Sequence, residues 1–293
     1  MNTQRRSSVL ITGATGTIGS ELARQLSAKG FTFRAMVRAG ADISSISQLP
    51  GVELVKGDFN DPESIAGALA GVERAFLLTN STEMAEKQQL TFVDSAKKAG
   101  VKHIVKLSQF AARIDSPVRF LRYHAAVEQR IIELGISYTF LRPNLFMQGL
   151  LLLQDAIKYQ GKFFAPVGDA KISIVDIRDI AAMAAIALTD DKHEGKIYDL
   201  TGPEALTHSQ MATYLSEATG NNIQFVNVSP EEMRQAVLSV GMPEWQADGL
   251  IEDFAHYSRG EAAVITSAIK VVTGKDPFSF KSFVRDYSGA FVQ

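Results

Sequence analysis

The sequence contains no cysteine, which excludes disulfides, thiolate nucleophiles and sulfur-ligated metals together. Its five histidines (His103, His124, His193, His208, His256) show no metal-ligand spacing, and no metal site is expected. Nor is there a basic block: the formal net charge is −2, which gives no reason to expect a nucleic-acid partner. Long apolar runs are missing too. The most apolar window, Leu145–Leu153, is interrupted by Gln148 and Gly149 and is too short to span a bilayer, so no membrane association is expected. Arg5 and Arg6 run into a glycine motif and not into an apolar segment, which argues against a twin-arginine leader. Neither a G-x-x-x-x-G-K-[ST] loop nor a G-x-S-x-G elbow occurs. What remains is 293 residues, 46% hydrophobic and 21% charged, able to bury a sizeable core and expected to be cytoplasmic.

The chain is organised around Val9–Gly19, VLITGATGTIG. An apolar strand runs straight into Gly13, Gly16 and Gly19, and an amphipathic helical pattern carrying Leu22 and Leu26 follows. Strand, glycine turn and helix form the context a dinucleotide phosphate requires, because the bare backbone can approach the pyrophosphate and the helix start offers free N–H groups. Gly13, Thr15, Gly16, Thr17, Ile18 and Gly19 are therefore candidate cofactor residues. The spacing is G-x-x-G-x-x-G, a departure from the general G-x-G-x-x-G fingerprint.

Further strands are expected at Phe31–Arg38, Val52–Phe59, Arg74–Thr79, His103–Ser108, Ser137–Pro143, Lys171–Val175, Ile197–Gly202 and Gln224–Ser229. Helical patterns separate them, including Gln88–Ala99, Pro117–Leu134, Leu145–Tyr159, Asp176–Leu188 and Thr207–Thr219. This alternation implies an α/β fold, a Rossmann-type doubly wound parallel sheet. The dinucleotide-binding part is expected over 1–145, with parts of 171–202 completing the sheet. The remainder of 146–293, mostly helical from about Leu206, should supply a smaller substrate lobe.

At the end of the second strand stands Arg38, where an acid would accept from a ribose 2′-OH; an arginine there accommodates a 2′-phosphate and favours NADP(H) over NAD(H), unless it is simply a solvated loop residue. Asp58 can accept from an adenine amino group with Phe59 beside the base, while Thr79 and Asn80 form a polar exit near the cofactor. Ser108 and Gln109 end the fifth strand, where nicotinamide or substrate would lie. Pro143, Asn144 and Phe146 follow the sixth, and Phe110 and Phe146 could stack on an aromatic acceptor or pack as core.

Taken together, the glycine motif, Gly57-Asp58, Leu141-Arg142-Pro143 and Val175-Asp176-Ile177-Arg178-Asp179 resemble the short-chain dehydrogenase/reductase superfamily. The His124 helix leading into GISYTFLRP (Gly135–Pro143) is more specific: it resembles the NmrA-like atypical branch that holds quinone and triphenylmethane-dye reductases, a likeness running from Val9 to about Thr219. The superfamily's usual Tyr-x-x-x-Lys pair is absent at all seven tyrosines, and His124 and Glu128 occupy the matching place one helical turn apart. A plain ketone needs a placed acid, whereas a quinone yields a weakly basic phenolate and a triarylmethane cation needs no proton. The resemblance thus implies an NADPH-dependent reductase of quinones or similarly conjugated aromatics, monomeric or homodimeric. His124, with Ser108, would orient the acceptor or donate a proton while Glu128 fixes the His124 tautomer; alternatively His124 is a partly buried helix histidine. Tyr123, about 100° around the helix, is expected to point elsewhere. The resemblance also leaves open a non-catalytic NADP(H) sensor, in which an apolar cleft beside the nicotinamide would be filled and not open.

Overall fold

The computed structural model describes residues 8–292; Arg5 and Arg6 lie outside them. The strands are β1 (Val9–Ile11), β2 (Phe33–Val37), β3 (Val52–Lys56), β4 (Arg74–Leu77), β5 (His103–Leu107), β6 (Ser137–Pro143), β7 (Lys162–Ala165), β8 (Lys196–Leu200) and β9 (Gln224–Asn227). The helices are α1 (Thr17–Ala28), α2 (Pro62–Leu69), α3 (Ala85–Ala99), α4 (Arg119–Glu133), α5 (Gln154–Gln160), α6 (Ile177–Thr189), α7 (His208–Thr219), α8 (Pro230–Ser239), α9 (Glu244–Ser258), α10 (Ala268–Thr273) and α11 (Phe280–Tyr287). Seven strands form one sheet in the order β3-β2-β1-β4-β5-β6-β8, every neighbouring pair parallel.

Period-two alternation in the central strands feeds two cores. Val9, Ile11, Val105 and Leu107 pack on one face with Leu22 and Leu26 of α1 and Ile180 and Ala184 of α6. Leu10 and Ile104 face the other way, onto Ile65 of α2, Phe92 of α3 and Val127 of α4. Both faces of the sheet are covered, as a parallel sheet demands. The chain direction across the sheet reverses between β1 and β4, so the crevice beyond their carboxyl ends is the natural ligand position.

A third core gathers Phe163 of β7, Leu215 of α7 and Phe280 and Phe283 of α11, outside the main sheet. Here the structure departs from the sequence reading. The segment Lys171–Val175 is not a strand: Ile172, Ser173 and Val175 donate their N–H groups to Leu206, Ala262 and Leu145, three separate segments, so no ladder forms. The strand in this region is instead β7, paired parallel with β9. Leu145–Tyr159 is not one α-helix but a 3₁₀ run, Met147–Leu153, leading into α5. Gln148 explains the break, because its side chain accepts from the Ile177 N–H at 3.1 Å and donates to Asp176 at 3.0 Å. In addition α10 returns to the main sheet, burying Ile269 in the α1/α6 core.

One clasp holds α9 against α4. The Arg119 main-chain N–H donates to Glu252 Oε2 at 2.7 Å, and its guanidinium donates to Oε1 at 2.7 Å and to the Trp245 carbonyl at 3.0 Å. A few residues along, Gly249 allows α9 to sit on the Phe120 ring, whose Cε1 would lie 2.4 Å from any Cβ there. Glu252→Ala should lower the unfolding free energy by roughly 1.5–3 kcal/mol, the range for hydrogen bonds to a charged group. Denaturant unfolding of the two proteins checks this, with an unchanged midpoint counting against the clasp.

Candidate active site

The glycine loop is shaped by contact, not only by conformational freedom. Gly13 takes a left-handed φ of 62°, and Gly16 donates its N–H back to the Gly13 carbonyl at 3.0 Å. A Cβ on Gly19 would lie 2.0 Å from that carbonyl oxygen, so only hydrogen fits where α1 meets the loop. Thr12 pins the loop to the end of β4, donating to Phe76 O at 3.0 Å and accepting from Leu78 N at 2.8 Å. No side chain caps α1 at Gly16, and the first helical bond is Ser20 N–H to Gly16 O. The N–H groups of Thr17, Ile18 and Gly19 therefore have no acceptor among the described residues. A bare-backbone cradle facing a helix start is what a dinucleotide phosphate needs.

This cradle is one end of a cleft of about 780 Å³. Around it the fold brings Gly13, Thr15, Gly16, Thr17 and Ile18 together with Arg38, Asp58, Phe59, Thr79, Asn80, Ser108, Gln109, Phe110, His124, Pro143, Asn144 and Phe146. Gly19 is buried beneath the loop, acting on it through the contact just described. Arg38 is exposed and has no acidic partner among the described residues, while Asp42 is occupied by the Ser44 N–H at 2.9 Å. Asp58 accepts from the Asn60 N–H at 2.8 Å, and the Phe59 ring leans on Phe92 with centroids 5.7 Å apart. Thr79 Oγ1 accepts from Gln89 at 2.8 Å.

Beyond β5 the ladder continues, since Ser108 N–H donates to Leu141 O at 2.7 Å and Phe110 N–H to Pro143 O at 2.9 Å. That fixes Ser108, Gln109 and Phe110 at the cleft. The Ser108 hydroxyl is buried with no partner among the described residues, an open hydrogen-bonding position of the kind a bound ligand completes. Cradle and orphaned hydroxyl both fit a nicotinamide dinucleotide. The Asn144 amide, by contrast, is spent within the protein: it donates to Ser173 and to the Ala262 carbonyl at 2.9 and 2.8 Å and accepts from Leu145 N at 2.8 Å.

His124 lies at the cleft, but Glu128 does not hold it. Glu128 forms a bidentate pair with Arg142, 3.0 Å from Nε to Oε1 and 2.5 Å from Nη2 to Oε2. A guanidinium fork satisfies both carboxylate oxygens at once. What holds His124 is Lys106 of β5, which donates to Nδ1 at 2.7 Å and to the Leu107 carbonyl at 3.0 Å. Burial, then the neighbouring Lys106 charge, keeps the His124 pKa well below the usual 6.5. The ring is neutral, and with Nδ1 accepting, its proton sits on Nε2, which has no partner among the described residues. Lys106 is itself fully buried; desolvation brings its ammonium down to about 7, against the pull of the Glu128 charge. A lysine inside the otherwise apolar HIVKL strand was the available sequence signal for it.

Tyr123, expected to face elsewhere, also lines the cleft. Its hydroxyl meets Ser81 Oγ at 2.9 Å, and its ring lies 4.2 Å from that of His124. The far wall comes from α9, within the helical lobe the sequence predicts, although none of its residues stands among the sequence-based site candidates. Asp253, His256 and Tyr257 all reach the cleft, and Gln109 Nε2 donates to both Asp253 oxygens at 3.1 and 2.8 Å. Burial pushes the Asp253 carboxyl up to about 7. Phe110, Phe120, Phe146 and Leu151 make this end apolar, with Leu152 standing exposed at the rim.

Comparison with known proteins matches residues 5–275 to the NmrA-like family. The chain belongs to the NmrA-like family. It is 36% identical over 283 residues to an NAD(P)H azoreductase of Xenophilus azovorans, covering 97% of this chain and 99% of that one. Among solved structures it is similar to the NADPH-dependent quinone oxidoreductase QOR2 of Escherichia coli complexed with NADPH, with TM-score 0.86, 29% identity and coverage of 95% of this chain and 99% of that one. A triphenylmethane reductase of Citrobacter sp. complexed with NADP(H) is similar at TM-score 0.83 and 29% identity, again over 95% and 99% of the two chains. Among the described residues of this NmrA-like protein, no helix is long and apolar enough to cross a membrane.

Two outcomes follow for the site. Gly19→Ala should drive α1 away from the loop and weaken dinucleotide binding at least tenfold, because its new Cβ meets rigid backbone and not a movable side chain; fluorescence titration with NADPH measures it. Lys106→Met should raise the His124 pKa, since a charge that opposes its protonation is gone. Nitrogen-15 shifts of the imidazole read both that rise and the loss of the fixed Nε2–H tautomer.

Proposed function

We propose that this NmrA-like protein, an NAD(P)H-dependent oxidoreductase, uses NADPH in preference to NADH and passes hydride directly to a quinone or a similarly conjugated aromatic acceptor, without a Tyr-x-x-x-Lys dyad. The observation that carries the reading is the open apolar end of the cleft, where Phe110, Phe120, Phe146 and Leu151 surround space that a cofactor sensor could leave filled. The named relatives support it, since they reduce azo compounds, quinones and triphenylmethane dyes.

In this reading the segment 1–145 carries the dinucleotide and parts of 146–293 wall the acceptor. The glycine loop and the free N–H groups of Thr17, Ile18 and Gly19 receive the pyrophosphate. Arg38, exposed and without an acidic partner, receives the 2′-phosphate, while Asp58 and Phe59 lie against the adenine. Ser108 completes its hydrogen bond on the nicotinamide side, and the cofactor, when bound, supplies the hydride. Lys106 holds His124 as a neutral Nε2–H donor, which orients an acceptor oxygen and lowers the energy of the charge it gains. Phe110 and Phe146 hold the ring face, so alignment does most of the remaining work.

The test is NADPH oxidation by the purified protein with quinones, azo compounds and cationic dyes, with NADH alongside. Turnover that is faster with NADPH supports the reading; tight NADPH binding without turnover of any acceptor would replace it with the sensor. Arg38→Ala should weaken NADPH binding by about 10- to 100-fold, the worth of a charge-assisted contact, and leave NADH binding nearly unchanged. Equal losses for the two cofactors would remove the 2′-phosphate from Arg38.

A further inference from the structure

We propose that Asp253 is the catalytic proton donor to acceptors whose reduction leaves a basic oxygen or nitrogen. The inference rests on the reductase reading above and deepens it. Five ionisable side chains border the acceptor end of the cleft: Tyr123, His124, Asp253, His256 and Tyr257. Four of them are poor proton donors at neutral pH. His124 accepts on Nδ1 from Lys106 and carries a single ring proton, whose loss would leave a buried anion. Burial raises both the Tyr123 and the Tyr257 phenols above their ordinary range. Burial lowers His256 below the usual histidine value, and its Nδ1 donates to Glu261 at 2.5 Å.

Asp253 differs in both position and state. It is buried on the cleft face of α9 and held from the opposite wall by the Gln109 amide at 2.8 and 3.1 Å. Tyr257 approaches it at 3.5 Å from the same helix. The charged group nearby is Glu252, which disfavours a second negative charge, while the Gln109 and Tyr257 hydrogen bonds favour the anion. No cation pairs with Asp253 among the described residues, and burial outweighs the hydrogen bonds, so its carboxyl, raised to about 7, carries a proton below neutral pH and about half of the time at it.

Reduction of a quinone or an azo compound consumes one hydride and one proton. The hydride leaves the dihydronicotinamide, which is oxidised, and bonds to the acceptor. The O–H bond of Asp253 breaks, and a new O–H or N–H bond forms at the atom that gained the electron pair; water then reprotonates the carboxylate. A cationic triarylmethane dye takes hydride at its central carbon and becomes neutral with no proton at all. The two acceptor classes therefore separate hydride transfer from proton transfer in one active site.

The experiment compares wild type with Asp253→Asn, reading the ratio of azo-compound to cationic-dye turnover across neutral pH, because hydride addition to an azo bond leaves a strongly basic nitrogen. In the wild type this ratio should fall as pH rises through about 7, where the carboxyl gives up its proton. Asp253→Asn should lower the ratio about 100-fold, the low end of a general acid's contribution, and flatten its pH dependence. Rescue of the ratio by Asp253→Glu supports a carboxyl proton and not a merely structural amide acceptor. Infrared difference spectra of wild type against Asp253→Asn add a readout independent of turnover: a protonated carboxyl band that disappears as pH rises through about 7. An unmoved ratio, or no protonated carboxyl at neutral pH, overturns the assignment while leaving dye reduction and the reductase reading standing. Failure of the wild type to reduce any acceptor brings down that reading and this one with it.

Discussion

Among the glycines of the described residues, the tightest approach is between Gly19 and the carbonyl of Gly13, where a Cβ would come within 2.0 Å of oxygen. It sets how near α1 can come to the end of β1, and so where the unbonded N–H groups of its first turn open. The same helix buries Leu22 and Leu26 against α6 and the sheet, so the position of the cradle is tied to the main core. Thr12 fixes the loop from below by bridging to β4 at the point where the sheet changes direction.

Charge is handled differently at the two ends. The phosphate end is open, with an exposed arginine and an uncapped helix start. The acceptor end places ionisable groups out of water: Lys106 is fully buried, and Glu128 is buried but paired with Arg142. An uncompensated buried cation would be costly, and the Glu128 charge offsets part of the Lys106 desolvation. The result is a histidine kept neutral by its surroundings and a carboxyl whose pKa is raised by its own.

Much of this was legible from the sequence because it lies in short-range pattern. The alternation of strands with helices implied the parallel sheet, and the caps at Asp61, Gly100, Asp176 and Thr207 are where their residue types place them. The cofactor-side candidates follow strand ends, so knowing the strands was enough to gather them. The misreadings have a common cause, which is competition from distant groups. Ser173 is pulled out of a ladder by Ala262, Gln148 is drawn from a helix by Asp176 and Ile177, and Glu128 is taken from His124 by Arg142. Asp253 sits on a helix without any motif and gains its meaning only from Gln109, 144 residues earlier.

That separation bears on the order in which the molecule is made. The dinucleotide cradle, the arginine after β2 and the polar exit of β4 all come from the first 80 residues and close over modest loops. The acceptor wall exists only when residue 109 meets residue 253, and contacts of such sequence separation carry a larger loop-closure cost that must be met before they contribute. During synthesis the residues of the phosphate site emerge long before α9, but the helix that positions them finds its α6 and α10 partners only after residues 177 and 268. Both ends of the cleft therefore wait on late parts of the chain.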